Sequence, residues 1–277
     1  MNIPYGRQSI SWQDYMAVLK VLRSDYLTVG PMVDKFEQEL SALTMAKYVV
    51  VVSSGTAALH CAYNALSMNE RNEIITSPMT FVATASTALH CGAKIVFGDI
   101  DLETGNLDSN IVESLISDKT IAISTVDYAG QPGDLDSLNR IAKVNNLTLI
   151  EDAAHSIGTT YNGLEVGGLA DMTIFSFFPT KNITSGEGGA ILTNNFELYS
   201  RLKSFKMHGL VRQPELFYYK DVGPWHQEVH QLGLNYRLSE IHAALGLSQL
   251  KRIKKFKTKR EEIFNAYHNF LKDVEDV

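Results

Sequence analysis

Three short strings in the 277-residue chain hold side chains that could do chemistry together, and each has a plain alternative reading. In Phe175-Ser176-Phe177-Phe178-Pro179-Thr180-Lys181 a lysine follows an apolar run and precedes the glycine-rich turn Ser185-Gly186-Glu187-Gly188-Gly189. A lysine held in a desolvated cavity loses solvation of its ammonium, its pKa falls, and the amine becomes a nucleophile towards an aldehyde. On an open surface the same lysine is only solvated. Glu151-Asp152-Ala153-Ala154-His155 follows the apolar run Leu147–Ile150. A carboxylate at the C-terminal end of a parallel strand lies where open α/β sheets take their ligands. The alternative makes Asp152 a helix cap and His155 a half-buried polar residue. No second cluster of ligands completes a metal site around these two, so no metal is expected. Ser53-Ser54-Gly55-Thr56 sits between a strand-like and a helix-like run. Free N–H groups at a helix start favour a phosphate, and the same residues serve equally as an ordinary N-cap. The string lacks a P-loop lysine, which argues against a nucleoside triphosphate.

The elements that must position these residues read as an α/β fold. Tyr48–Val52, Glu73–Thr76, Lys94–Phe97, Thr120–Val126 and Leu147–Glu151 are short β-branched runs separated by helix-like segments. Runs apolar on both faces suit a parallel sheet with helical crossovers. Met172–Phe177 and Ala190–Thr193 follow one another with no helix between, which predicts a hairpin-like, mixed part of the sheet. From Ser239 the chain reads as helical to its end.

Composition bounds the rest. The chain is 45% hydrophobic and 20% charged, as ordinary globular proteins are, and its net charge of −6 argues against nucleic acid or acidic membranes as partners. Lys251 to Arg260 holds seven basic residues in ten, but Ile253 and Phe256 fall at helical spacing, which reads as a solvated helix face. There is no signal-like start and no apolar run of membrane length. Cys61 and Cys91 fall in helix-like segments and form no CxxC pair, and the expected compartment is the cytoplasm.

Taken in order, the strings resemble the DegT/DnrJ/EryC1/StrS family of pyridoxal-phosphate-dependent nucleotide-sugar aminotransferases, of fold type I. The resemblance covers essentially the whole chain: Ile3-Pro4-Tyr5-Gly6, Leu27-Thr28-Val29-Gly30-Pro31, Ser53 to Leu59, Pro78 to Thr84, Glu151 to Ser156, Phe175 to Lys181 and Gly233-Leu234-Asn235-Tyr236-Arg237. It implies a mostly parallel, mixed seven-stranded sheet flanked by helices. It implies that Lys181 holds the cofactor as a Schiff base and later shuttles a proton, that Asp152 pairs with the pyridinium nitrogen, and that His155 lies near the phenolic oxygen. Phe81 would stack on the ring; Gly55, Thr56 and Ser176 would hold the phosphate. Asn235 would reach that phosphate from a neighbouring subunit, which implies a homodimer with shared active sites. Tyr5 and the turn Asp25-Tyr26-Leu27-Thr28 would approach the sugar nucleotide, and Arg237 would either meet an anionic donor or brace the dimer.

Val126-Asp127-Tyr128-Ala129-Gly130 has Asp127 where many family members carry His. With Asn72 to Thr76 and Ala244 to Lys251, it resembles the branch of 4-aminotransferases in pseudaminic acid biosynthesis. That branch uses glutamate to aminate C4 of a UDP-4-keto-6-deoxy-N-acetylhexosamine. Three alternatives stand beside it: another nucleotide-sugar 3- or 4-aminotransferase, a cofactor-binding dimer without turnover, and a lyase on the same fold. The lyases carry histidine at the lysine position, and Lys181 speaks against them. The expected domains are 1–250, binding the cofactor, and 251–277, the start of a C-terminal small domain that is largely missing.

Overall fold

The computed structural model describes residues 6–272 and Val274; the expectation for Tyr5 lies outside the described residues. Two helices, α1 (Trp12–Leu22) and α2 (Pro31–Thr44), lead into strand β1 (Tyr48–Val52). Helix α3 (Gly55–Ala65), strand β2 (Glu73–Thr76), helix α4 (Ala83–His90), strand β3 (Lys94–Phe97) and helix α5 (Ser109–Leu115) follow. Next come β4 (Thr120–Val126), α6 (Leu135–Val144) and β5 (Thr148–Asp152). A small hairpin, β6 (Thr160–Tyr161) and β7 (Leu164–Glu165), precedes β8 (Met172–Ser176) and β9 (Gly189–Thr193). Helix α7 (Phe196–Phe205), a second small hairpin of β10 (Leu210–Val211) and β11 (Glu228–Val229), then α8 (Glu240–Leu250) and α9 (Ile253–Leu271) complete the described chain.

Seven strands form one sheet in the order β1-β9-β8-β5-β4-β2-β3. The pairs from β3 across to β8 are parallel, whereas β9 runs antiparallel to both β8 and β1. This is the mixed sheet expected, with the hairpin where no helix separates two runs. One strand is displaced by a residue: β5 ends on Asp152 rather than before it. The Leu147 N–H closes α6 by bonding Ala142 O, and Asp152 pairs with Val126 on one side and Ile174 on the other.

Successive strand residues point to opposite faces. Val50, Val52, Ala122, Ile150 and Ile174 pack under α3, α4 and α7. Val49, Val51, Phe175 and Leu192 pack against α2 and α8, and Ile123 and Leu149 against α5 and α6. The sheet is thus buried on both sides, which explains why its runs do not alternate in polarity. Helix α1 is tied to the end of α8 by the buried Asp14 carboxylate, which accepts from Ser11 N, Gln249 Nε2 and Arg252. In the basic run, Ile253 is buried and Phe256 packs beside it, while Lys254, Lys255, Lys257, Lys259 and Arg260 face solvent. The run is therefore a solvated face with an apolar seam. Cys61 is buried in α3, Cys91 lies at the C-cap of α4 just past its last turn, and both are free thiols. Among the described residues no helix is long and apolar enough to cross a membrane.

Candidate active site

The C-terminal ends of the parallel strands gather the three strings at one edge of the sheet. Asp152, only 5% exposed, closes β5. The next element is a strand, so the capping alternative has no helix to cap; among the described residues Asp152 Oδ1 accepts from Ala154 N alone, at 3.3 Å. Its other oxygen takes the Thr84 hydroxyl of α4 at 2.7 Å. The Thr84 carbonyl in turn receives Tyr63 OH, whose oxygen is also 2.8 Å from the Ser124 hydroxyl on β4. Burial raises the pKa of Asp152, and the Thr84 hydroxyl, the Ala154 N–H and the charge of Lys181 all oppose it.

Lys181 stands in the loop between β8 and β9. The loop is closed by backbone bonds from Phe177 N to Gly188 O and from Ser185 N to Phe177 O, with Thr184 Oγ1 on Phe177 O. Burial lowers the pKa of Lys181, and the nearby Asp152 carboxylate partly restores it. His155 presents an exposed edge, yet enough protein surrounds the ring for burial to lower its pKa, with the Lys181 charge adding to the effect. Lys181, Asp152 and His155 therefore share one electrostatic neighbourhood. Asn182, which sequence reasoning passed over, fixes it: its amide donates to His155 O at 3.2 Å and to Ile157 O at 3.0 Å. A lone Asn after a lysine gives no signal in the sequence.

Both readings of the Ser53–Thr56 turn are realised, on different residues. Ser54 is the N-cap of α3 and accepts from Ala57 N at 3.0 Å. Gly55 and Thr56 sit in the first turn, where N–H groups have no helical acceptor and the dipole favours an anion. A Cβ on Gly55 would lie 3.0 Å from Ser176 Oγ, so glycine leaves the space between the helix start and the end of β8 open. Gly189, paired with Ser176, is forced by the same approach, because its Cβ would sit 2.4 Å from Ser54 O. The donor set of Gly55, Thr56 and Ser176 fits a phosphate, and the lysine, carboxylate and histidine beyond it fit an aldehyde-bearing, basic ring. Phe81 is 74% exposed just ahead of α4, one turn from Thr84.

The remaining expected residues sit on other elements. Asp25, Tyr26, Leu27 and Thr28 are exposed and are fastened to the start of α8 by a Thr28–Ser239 bridge and a bond from Glu240 N to Leu27 O. Arg237 lines a cavity of about 240 Å³ with Val29, Gly30, Lys203 and Lys206. Asn235 is exposed, on a segment held by Ser53 N donating to Tyr236 O and by a Met207–Asn235 bridge. That segment runs beside the Ser53–Thr56 turn.

The DegT/DnrJ/EryC1/StrS aminotransferase family matches residues 8–277. The chain belongs to this family. Among its relatives is the UDP-4-amino-4,6-dideoxy-N-acetyl-beta-L-altrosamine transaminase of Campylobacter jejuni, 42% identical over 96% of the chain and 68% of the relative. The protein of that name from Helicobacter pylori is 40% identical over 97% of the chain and 70% of the relative. The solved structure of Helicobacter pylori PseC, an aminotransferase involved in the biosynthesis of pseudoaminic acid, superposes with a TM-score of 0.93 at 38% identity, covering 99% of this chain and 72% of that one. The pyridoxal-phosphate form of the sugar aminotransferase Spr1654 from Streptococcus pneumoniae gives a TM-score of 0.90 at 29% identity, covering 99% and 72%. The chain is accordingly a pyridoxal-phosphate-dependent sugar aminotransferase of fold type I.

Proposed function

We propose that the enzyme moves an amino group from glutamate to C4 of a UDP-4-keto-6-deoxy-N-acetylhexosamine, the chemistry of the pseudaminic acid branch of the family. The observation that carries the catalytic part is the shared neighbourhood of Lys181, Asp152 and His155 at the strand ends. The substrate class rests on relatives of about 40% identity named for it.

Pyridoxal phosphate, when bound, supplies an aldehyde for amine exchange and a ring that takes up electrons. Gly55, Thr56 and Ser176 would hold its phosphate and Phe81 would cover its ring. The Lys181 amine would hold the aldehyde carbon, then take a proton from the donor's Cα and return one at the sugar's C4. Burial favours this by keeping the amine uncharged at lower pH than a solvated lysine. Asp152, whose ionised form Thr84 and Ala154 favour against burial, would hold a proton on the ring nitrogen. His155 would set the charge beside the phenolic oxygen. Asn235 from a second copy would complete the phosphate seat, making the enzyme a homodimer. Tyr5, the Asp25–Thr28 turn and Arg237 would take the nucleotide sugar and the anionic donor. Residues 1–250 form the cofactor domain in this reading, and 251–277 lead into a smaller one, in keeping with the break between α8 and α9. Two free thiols suit a cytoplasmic enzyme.

Addition of pyridoxal phosphate to the purified protein is expected to give a visible absorbance band that bleaches with glutamate. The band should be absent in Lys181→Ala; an unchanged band there would sink the assignment. Turnover of a panel of UDP-4-keto-6-deoxy sugars identifies the acceptor, and amination at C3 alone would overturn the C4 assignment.

A further inference from the structure

The strand that delivers Asp152 carries a second acid on its other face. Glu151 is fully buried, and Asp127, one residue past the end of β4, is 1% exposed beside it. The backbone joins all three acids: Asp127 N donates to Asp152 O at 3.1 Å, and Thr125 pairs with Glu151. Glu151 Oε2 receives the Thr173 hydroxyl at 2.7 Å. Five other buried oxygens here, Asp127 Oδ1 and Oδ2, Glu151 Oε1, Ser156 Oγ and Thr125 Oγ1, have no close hydrogen-bond partner among the described residues; the Gly133 N–H and the Ser156 hydroxyl approach Asp127 without closing a bond.

Five orphans side by side are unusual, because interiors leave few buried polar atoms unpaired. Among the described residues no lysine, arginine or histidine bonds to Asp127 or Glu151. The titratable groups nearest are Asp152 on β5, with Lys181, His155 and Tyr63 beyond it; Thr84 and Thr173 are neutral. One added proton resolves most of the problem. The Asp127 carboxyl is within reach of both the Glu151 carboxyl and the Ser156 hydroxyl. A protonated carboxyl becomes a donor to the other acid, and Ser156 can donate to the remaining Asp127 oxygen in either state.

We propose that Asp127 and Glu151 share one proton at neutral pH, so that the cluster carries two negative charges rather than three and Asp152 stays ionised towards Lys181. Burial pushes both acids up in pKa, most strongly Asp127; the charges of Glu151 and Asp152 add to the rise at Asp127, and that of Asp152 adds to it at Glu151. The pair is a positioning device: a third buried charge would raise the pKa of Asp152 and cost it the ability to hold a proton on a partner nitrogen. It also gives a physical role to Asp127, the residue at which this chain departs from the histidine of many family members.

The functional part rests on the assignment of Asp152; the shared proton does not. Infrared spectra of the protein without added cofactor should show a protonated-carboxyl carbonyl band at neutral pH that shifts in D2O. The band should vanish in Asp127→Asn, whose amide mimics the proton's donor role, and in Glu151→Gln, which serves if the first variant fails to fold. An acid whose pKa is raised in the folded state binds more protons folded than unfolded, so stability falls as pH rises through the folded value. Wild type should therefore lose thermal midpoint towards alkaline pH, and Asp127→Asn should lose less. With pyridoxal phosphate bound, the alkaline titration of the visible band seen in wild type should disappear in Asp127→Asn. No carboxyl band in wild type, or equal alkaline loss in both proteins, overturns the shared proton. A band present with an unaltered cofactor titration overturns the coupling to Asp152, and a band present in a protein that binds no pyridoxal phosphate overturns the assignment of Asp152 while upholding the shared proton.

Discussion

Thr84 shows how one hydroxyl governs a charge. It gives Asp152 its shortest hydrogen bond, in a place where burial works against ionisation. Thr84→Val keeps the shape and removes the donor, leaving a buried carboxylate oxygen unpaired at a cost of about 1–3 kcal/mol to the ionised form. The sign follows: the pKa of Asp152 rises further. The acid limb of the rate profile should move to higher pH, with at least a several-fold loss of kcat at neutral pH and recovery towards alkaline pH. An acid limb at the wild-type position would show that Thr84 does not set the charge of Asp152.

Helix α8 fastens the start of α2 and the Asp25–Thr28 turn through one buried residue. Glu240 accepts from Gly30 N at 3.0 Å, Met32 N at 2.7 Å and Val33 N at 3.2 Å, so an acid at the start of α8 caps the start of α2. Negative charge at a helix N-terminus satisfies otherwise unpaired N–H groups and the dipole. The same residue's N–H holds Leu27 O, fastening the Asp25–Thr28 turn. Glu240→Ala should cost about 2 kcal/mol by loss of the cap, seen as a lower urea midpoint. If that turn meets the nucleotide sugar, KM for the sugar rises more than kcat falls. A loss of stability with KM unchanged would remove the turn from the substrate site.

At the scale of the whole molecule, the placement of Asn235 matters most. It is exposed, while Gly55 leaves the space between the start of α3 and Ser176 open on the same molecule. A second copy that reaches across would make each site composite. Lys181→Ala and Asn235→Ala proteins should each be inactive or weak as purified. Mixed and allowed to exchange subunits, they should regain activity, because one site of each mixed dimer then carries both intact residues. No recovery despite proven exchange would place Asn235 and Lys181 in the same site of one chain.

The sequence by itself determined the alternation of strands and helices, because residues buried on both faces of a parallel sheet must be apolar without a break. Tyr48–Val52, Glu73–Thr76, Lys94–Phe97 and Thr120–Val126 are strands at the residues their side chains predict. It also marked Lys181, Asp152 and the Gly55 turn, since a lysine, an acid and a glycine at strand ends are rare enough in that order to be informative. What only the tertiary structure decided is who touches whom. The end of β5 on Asp152 depends on pairing with both neighbours, which a single strand cannot announce. Thr84 meeting Asp152, Asn182 bracing His155 and Glu240 capping α2 join residues 68, 27 and 208 positions apart. Such bonds are chosen by burial, which leaves a polar atom to find a partner wherever the fold has brought one, and no local pattern in the chain records that choice.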